Sequence, residues 1–482
     1  MNFFKRIFGL FPKLWGNWIS LLGTTLTTVA GNGMLIVTVV DIVSGGSNHY
    51  TATFGYLLMP PLFVLGLGLI ALGVWRDHRR GVYPKMTPLG RAVDMAIADP
   101  SSRRRLIFVL VATLSNVTLI SIVAYQAISY MESPRFCGQL CHSVMKPEHQ
   151  AYLRSPHARV PCVDCHIGEG ASWFVRSKLS GMRQVWATVT GNFSRPIPTP
   201  IHHLRPARET CEKCHWPEKF NGARLLVHHS YKDDQANTRL TNVVRLNVGG
   251  LNKASGRFEG IHWHVGPDVH VEYEALDAKR RTIGQVVLTV KGQRTVYLPP
   301  KGAQNVGGFV ERRVMDCVDC HNRPTHIYDI SPEGAVDRAL SYNKLDSSLP
   351  FLHQQAVALL KMNIEPPEEA GQRFTAVLQG YYAKNFPELA QSKGNRISQA
   401  AQELSTIYQR NIFPKLKITW STYPSHLGHR QTTEGCFRCH DDEHQTKDGK
   451  VIRKDCDVCH EVLAEEEEKP DVPENVLRLG RM

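Results

Sequence analysis

The feature that most constrains this chain is a pair of cysteines followed at once by a histidine, repeated along the sequence. Five copies have the regular form Cys-x-x-Cys-His, and they occupy residues 162–166, 211–215, 317–321, 436–440 and 456–460. A sixth copy, at residues 137–142, has three residues between its cysteines instead of two. The six pairs use all 12 cysteines of the 482-residue chain, so no cysteine is left for another purpose.

This pattern is the attachment signature of c-type haem. Two thioethers tether the porphyrin, and the adjoining imidazole then lies beneath the iron as an axial ligand, which couples the cysteine spacing to the histidine position. Zinc sites and disulfides also use paired cysteines, but neither requires a histidine directly after the second one. We therefore predict six covalently attached haems. The predicted attachment residues are Cys137, Cys141, Cys162, Cys165, Cys211, Cys214, Cys317, Cys320, Cys436, Cys439, Cys456 and Cys459, and the predicted proximal ligands are His142, His166, His215, His321, His440 and His460.

Composition agrees with a chain that folds around cofactors. Only 42% of the residues are hydrophobic, and many of these lie in the first 130 positions, so we expect the haems to supply part of the core. The formal charge of +13 would suit nucleic acid or anionic lipid. Haem propionates cancel much of that charge, and we expect no nucleic-acid partner.

Three apolar runs precede the first motif, at residues 19–40, 56–75 and 106–128, and each is near the roughly 20 residues that a membrane-spanning helix needs. Residues 76–105 carry eight Lys and Arg against three Asp, so the positive-inside rule places that loop in the cytoplasm. We therefore predict a three-helix anchor in a bacterial cytoplasmic (inner) membrane. The haem region after it is predicted to lie in the periplasm.

Several segments resemble the NapC/NirT/NrfH family of membrane-anchored multihaem quinol dehydrogenases. These segments are CGQLCHSVM (137–145), SPHARVPCVDCH (155–166), KLSGMRQVWATVTGN (178–192), RPARETCEKCH (205–215) and CVDCHNRPTH (317–326). They fall within residues 137–326, about two fifths of the chain. Family members usually have one anchoring helix and four haems, so this chain resembles an enlarged member.

The resemblance implies roles for individual residues. It implies that Met145 or His142 is an axial ligand of the first haem, and that His157 and His326 bind the irons of other haems. It also implies that Lys178 contacts quinol. No Asp or Glu occurs between Gly170 and Arg208, where the family tends to keep an acidic residue. Gln184 or a haem propionate is therefore the candidate for accepting the quinol proton.

Residues 216–310 alternate apolar and polar positions around turn signals, which predicts a small β-rich insertion. It contains five histidines that are candidate distal ligands, and we expect at least two of them to bind iron. His229 and His264 are slightly favoured over their neighbours His228 and His262, with His270 as the fifth. His202 and His203 are further candidates.

Residues 334–412 lack cysteine and have helical periodicity, which predicts a helical spacer. The two-haem module that follows, at 413–463, offers His426, His429 and His444, of which His429 and His444 are the predicted ligands. A charged tail from residue 464 to residue 482 is predicted to be mobile.

These segments together predict a mainly α membrane protein with little regular structure in its haem regions. The predicted divisions are the anchor (1–130), the first three motifs (131–215), the β-rich insertion (216–310), the fourth motif (311–333), the helical spacer (334–412), the two-haem module (413–463) and the tail (464–482).

The predicted function is quinol oxidation. Menaquinol or ubiquinol from the membrane quinone pool would be oxidised near the first haem, and electrons would pass through six haems to a periplasmic redox protein or reductase, or to an outer-membrane acceptor. A second hypothesis is a haem-wire subunit of a larger respiratory membrane complex. A third is a terminal reductase for nitrite or hydroxylamine, which would need one haem with an open distal site.

Overall fold

The chain forms two units, Met1–Leu140 and Cys141–Met482. The computed structural model describes residues 18–44, 58–80, 118–140, 142–168, 171–201, 206–216, 222–252, 255–303, 310–429 and 435–473, together with Pro100 and Gly308. Each unit is built differently. The first is made of apolar helices, and the second carries five of the six haem motifs on a mixture of short helices, sheets and a helical bundle.

The first unit contains helices α1 (Trp18–Ser44), α2 (Met59–Arg79) and α3 (Thr118–Met131). Within them, Trp18–Val37 and Met59–Asp77 are long and apolar enough to cross a membrane. Glycines let α1 and α2 approach closely, since a Cβ added at Gly23 would lie 2.6 Å from the carbonyl oxygen of Gly66. The third predicted span is described only from Thr118 onward, and its first half lies outside the described residues.

The second unit begins with short helices at the motifs. They are α4 (His142–Leu153), α5 (Cys162–His166), α6 (Ala171–Val189) and α7 (Ala207–Cys211). Helices α5 and α7 have five residues each, so they are too short to be stable alone. The motifs are therefore held by what packs around them.

Strands β1 to β7 all lie inside the predicted insertion, and β8 follows it. They are β1 (Arg224–Tyr231), β2 (Arg239–Leu246), β3 (Gly250–Asn252), β4 (Arg257–Glu259), β5 (Val269–Ala275), β6 (Ile283–Val290), β7 (Gln293–Tyr297) and β8 (Glu311–Val314). Together with β9 (His460–Glu467), from the C-terminal end, they form antiparallel sheets ordered β1-β2-β9, β3-β4 and β7-β6-β5-β8. In β5, Val271 and Tyr273 are buried while Glu272 between them is exposed, which is the alternation that the sequence shows.

A bundle of helices follows α8 (Cys317–Cys320). Its members are α9 (Pro332–Ser341), α10 (Leu352–Leu360), α11 (Ala370–Asn385), α12 (Pro387–Ser392) and α13 (Gly394–Asn411). Helix α9 begins with an N-cap, because the Ser331 hydroxyl accepts a hydrogen bond from the Gly334 amide at 3.2 Å. The bundle core includes Phe374, Leu404 and Tyr408, which are fully buried.

The chain returns to the first sheet at its C-terminal end. The last motif forms α14 (Cys456–Cys459), and strand β9 (His460–Glu467) follows at once and pairs with β2. The tail that the sequence predicts to be mobile from residue 464 therefore begins as strand. Ala464 is buried opposite Val243, and this contact fixes the strand against the sheet.

Candidate haem-binding site

Each of the five regular motif histidines lies beside a second histidine. The ring centroids are 6.2 Å apart for His166 and His326, 5.9 Å for His215 and His157, 6.5 Å for His321 and His262, 5.9 Å for His440 and His264, and 5.8 Å for His460 and His429. A metal atom with an imidazole nitrogen at about 2 Å on each face holds the two ring centroids roughly 6 Å apart. The spacing of all five pairs therefore fits one iron between the rings.

The second motif and the third are joined by His157. This residue precedes the second motif in the sequence, yet its ring lies beside His215 of the third. Its Nδ1 lies 3.2 Å from the carbonyl oxygen of Pro324, just after the fourth motif. A hydrogen bond from Nδ1 to a carbonyl fixes the tautomer that leaves Nε2 as the metal-binding nitrogen.

His326 follows the fourth motif in the sequence but lies beside the second motif in the structure. Its ring lies beside His166, and its Nδ1 is 3.0 Å from the carbonyl oxygen and 3.2 Å from the carboxylate of Glu148. Arg323 donates to both carboxylate oxygens of Glu148, at 3.2 and 3.0 Å. Glu148 lies on α4, so a helix next to the first motif orients a histidine that faces the second.

One five-residue turn of the insertion serves two motifs. The 3-10 helix Ile261–Val265 places His262 beside His321 and His264 beside His440. Because a 3-10 helix has about three residues per turn, side chains two positions apart leave it in different directions. The two Nδ1 atoms are held by carbonyl oxygens, of Val248 at 3.0 Å and of Ile261 at 2.8 Å.

Removal from water by the surrounding protein favours the neutral form of five of these imidazoles, which is the form that binds a metal. For His166, burial and then the neighbouring His326 lower the pKa. Burial is also the largest cause of the lowered pKa of His262, His264, His321 and His429. For these five rings the surrounding protein thus favours the protonation state that a metal needs.

Cysteines of successive motifs are electrostatic neighbours. In chain order the neighbouring cysteines are Cys165 with Cys211, Cys211 with Cys317, Cys320 with Cys436, and Cys436 with Cys459. The thiols of Cys211 and Cys317 are within hydrogen-bonding distance. Each of the second to fifth motifs therefore lies near the motif that follows it in the sequence, and we call this series of neighbouring motifs the haem-motif row.

The residues between the cysteines help to join the fourth motif to the fifth. Asp319, between Cys317 and Cys320, is buried and accepts hydrogen bonds from the Tyr273 hydroxyl at 2.5 Å and from Arg313 at 3.2 Å. Arg438, between Cys436 and Cys439, donates to the backbone carbonyl of Asp319 at 2.6 Å. Burial and then the Asp319 carboxylate raise the pKa of Tyr273, so its hydroxyl stays a hydrogen-bond donor.

Protein groups hold the rings of two further predicted distal ligands, His229 and His444. His229 is buried on β1 with its Nδ1 3.1 Å from the Thr241 hydroxyl. The Nδ1 of His444 is 2.8 Å from Asp441, and its Nε2 is 3.0 Å from the carbonyl oxygen of Gly284. Because protein groups engage both ring nitrogens of His444, this arrangement leaves neither of them for iron.

The first motif is only partly described. Cys141 and the side chain of His142 lie outside the described residues, as do His202 and His203. Met145 is half-buried on α4. The choice between His142 and Met145 as ligand of the first haem therefore stays a prediction.

Lys178 and Gln184, the predicted quinol-site residues, both lie on α6. Lys178 is half-buried, whereas Gln184 is exposed and donates to the Ser180 hydroxyl at 3.2 Å. Residues advance by about 100° each around a helix, so these two side chains leave it roughly 120° apart. The helix does not bring them to one side.

His262 is the residue that the sequence interpretation ranks second within its pair. The signal was present, because GIHWHV places two histidines two positions apart in a short run between glycine and strand. Only one histidine of each close pair was expected to bind iron. A turn that directs two such histidines to different motifs requires the 3-10 geometry that the structure shows.

Comparisons with known proteins agree with these observations. Residues 99–197 match the model of the NapC/NirT cytochrome c family, N-terminal region. The cytochrome c-type protein ImcH of Geobacter sulfurreducens is 43% identical over 467 residues, which are 96% of this chain and 90% of that protein. No solved structure matches. With its haem c attachment motifs and apolar N-terminal helices, the chain is a membrane-associated multihaem electron-transfer protein, and it belongs to the NapC/NirT cytochrome c family.

Proposed function

We propose that this protein is a quinol dehydrogenase that oxidises menaquinol or ubiquinol at the membrane and delivers the electrons to a periplasmic redox protein or an outer-membrane acceptor. The observation that carries the electron-transfer part is the set of five histidine pairs, which belong to motifs that are neighbours in chain order from the second to the sixth. The quinol part rests on family membership and on the position of Lys178 in α6. The proposed location is the cytoplasmic membrane, with the haem region in the periplasm.

The proposed ligands follow from the pairs. Six haems are attached through the twelve cysteines, and those of the second to sixth motifs are held between two histidines each. The distal ligands are then His326, His157, His262, His264 and His429, in the order of the motifs that they serve. His262 joins His264 as a distal ligand from the insertion, and His229 stays a candidate. His444 has a structural role, because protein groups engage both of its ring nitrogens. The first haem has His142 and Met145 as its candidate ligands.

The protein's contribution is to fix these groups. The haem supplies one-electron transfer when it is bound. The chain orients the distal imidazoles through hydrogen bonds from Nδ1 to carbonyl oxygens, as at His157, His262 and His264. With imidazole on both sides of five irons, those sites leave no position for nitrite or hydroxylamine, which disfavours the reductase hypothesis.

Lys178 is proposed to contact quinol. Its ammonium can donate a hydrogen bond to a quinol oxygen and stabilise the negative charge that develops as the proton leaves. Gln184 leaves α6 in another direction, so a role for it at the same oxygen would require the quinol to reach both sides of the helix. A haem propionate is the better proton acceptor.

The test is Lys178→Met in the purified, haem-loaded full-length protein. A charge-assisted hydrogen bond contributes about 1.5–3 kcal/mol, so quinol-driven haem reduction should slow roughly ten- to a hundredfold. Lys384→Met, an exposed lysine in the helical bundle, is the charge-matched control and should leave the rate unchanged. Dithionite, which bypasses quinol, should reduce every haem in both variants.

Two outcomes would contradict the proposal. If Lys178→Met and Lys384→Met both reduce at the wild-type rate, Lys178 is not at the quinol site. If the purified wild type accepts no electrons from a menaquinol analogue but does so within a membrane complex, the haem-wire hypothesis holds instead.

A further inference from the structure

Helix α6 exposes an unbroken row of large apolar side chains. Val175, Leu179, Met182, Trp186 and Val189 are between 54% and 78% exposed. They are separated by four, three, four and three residues, so they lie along one side of the helix. We call this row the α6 stripe.

Such a row is unusual on a surface that faces water. An amphipathic helix normally turns its apolar side toward the protein core, whereas the α6 stripe is exposed. Contiguous apolar patches of this kind mark surfaces that contact another molecule or a membrane. The stripe is therefore a candidate contact surface.

The charged residues on α6 are all positive. Arg176 and Arg183 lie beside it, Lys178 lies among its residues, and the sequence has no acidic residue from 171 to 207. Trp173 lies on the same helix, with the Arg176 guanidinium 5.3 Å from its ring centroid. Tryptophan beside arginine and lysine is the composition of helices that lie in the headgroup region of a bilayer.

A second copy of the chain fits the stripe less well. The helix has 19 residues, fewer than the roughly three to four heptads that sustain a coiled coil. Two copies packed through this side would also bring their arginines and lysines together. An anionic lipid surface presents the opposite charge instead.

We propose that α6 lies in the plane of the membrane interface, with the α6 stripe in the acyl boundary and its cations on anionic phospholipid headgroups. The helix would then present Lys178 at the depth from which a lipid-soluble reductant arrives. That last point rests on the proposed quinol oxidation. The lipid contact itself does not.

The test is site-specific photocross-linking of the full-length haem protein in vesicles that contain phosphatidylglycerol. The photoreactive amino acid p-benzoylphenylalanine replaces Met182 in one variant and Trp186 in another. A third variant carries it at Tyr342, which is as exposed as Met182 but lies at the end of α9 in the bundle. After illumination, mass spectrometry identifies what is attached, and the haem spectrum verifies that each variant is folded.

Phospholipid adducts at positions 182 and 186, several times more abundant than at position 342, are the expected result. A cross-linked dimer of the chain, or equal lipid labelling at all three positions, would overturn the proposal. The experiment contains no quinol, so the lipid contact can fail while quinol oxidation stands, and the reverse is also possible. In vesicles of phosphatidylcholine alone, the yield at 182 and 186 should fall, because the headgroups no longer attract the arginines.

Discussion

The helical bundle and the haem-motif row belong to the same unit, yet different interactions stabilise them. In the bundle, large side chains such as Phe374, Leu378 and Leu404 are completely buried by other side chains. In the row, none of the described motif cysteines is buried, and the contacts between motifs are histidine rings, thiols and hydrogen bonds such as the one from Arg438 to Asp319.

The difference indicates which of the two regions is stabilised by its own side chains and which needs the cofactor. Burial of apolar side chains stabilises the bundle, and each fully buried leucine contributes about 1.5–3 kcal/mol. The motif helices are too short to persist alone, and their buried polar groups depend on distant partners. The row therefore relies on covalent haem to complete its core, and the bundle does not.

Removing a haem should have the largest effect. Cys317→Ser together with Cys320→Ser prevents attachment at the fourth motif, in the middle of the row. His262 then loses its partner, and the turn Ile261–Val265 that also holds His264 is released. We expect limited proteolysis to cleave the motif segments while a fragment containing the bundle survives.

Its control is the same change at the end of the row, Cys456→Ser with Cys459→Ser. This variant should be cleaved only near its C-terminal end, because α14 and β9 have no motif beyond them. Mass spectrometry of the fragments distinguishes the two patterns. Loss of the bundle together with the row in both variants would show that the two regions fold as one.

A core substitution in the bundle should have the next largest effect. Leu404→Ala removes a fully buried side chain, and such changes cost about 2–5 kcal/mol of unfolding free energy. Val377→Ala on α11, where the side chain is exposed, should change stability by no more than about 0.5 kcal/mol. Far-ultraviolet circular dichroism follows the bundle, and the haem absorbance band follows the row. If the unfolding midpoint shifted equally in both signals, the bundle and the haem-motif row would not be stabilised independently.

The bundle could be predicted from the sequence because its information is local. Apolar residues recur at helical spacing along 370–411, and the structure has helices there. The attachment residues of the haem motifs can be predicted equally well, because each motif is a short continuous segment of the sequence. The sequence does not predict which distal histidine pairs with which motif. His157 lies beside His215 and His326 lies beside His166, although in each case another motif is closer in the sequence.

One further difference has a physical cause. The glutamates at 465–468 predict a solvent-exposed, mobile tail. In the structure, Val462 and Ala464 just before them pair with residues of β2. Pairing with a strand more than 200 residues away cannot be inferred from the tail itself.

Exchanging a proposed ligand should have a smaller and more specific effect. His262→Met should raise the reduction potential of one haem, because a thioether donates less to ferric iron than imidazole does. His270→Met should leave all potentials unchanged, since His270 is exposed and its Nε2 lies 3.2 Å from the Glu272 carboxylate. Potentiometric titration and electron paramagnetic resonance measure both variants. A shift in the second variant and none in the first would make His270 the ligand instead of His262.

The smallest expected effect concerns the junction between the bundle and the first sheet, at His353 on α10. Its Nδ1 is 2.6 Å from Asp233, just after β1, and its Nε2 is 3.2 Å from Asp337 on α9. Burial lowers the pKa of His353, but the two carboxylates outweigh it and raise that pKa above 6.5. The protonated ring therefore stabilises the folded state. This contribution is complete below the unfolded pKa of about 6.5 and is lost as the pH rises through the folded value.

His353→Gln tests this junction, because glutamine keeps a polar side chain but cannot carry the charge. The stability advantage of the wild type should be greatest in mildly acidic solution and should shrink as the pH rises. Denaturant unfolding followed by circular dichroism at a series of pH values measures it, with the haem absorbance recorded in parallel. If the difference between the two proteins is the same at every pH, the ring is neutral in the folded protein. The bundle would then be joined to the sheet by uncharged contacts such as the one from Asn237 to the carbonyl oxygen of Leu349, at 2.8 Å.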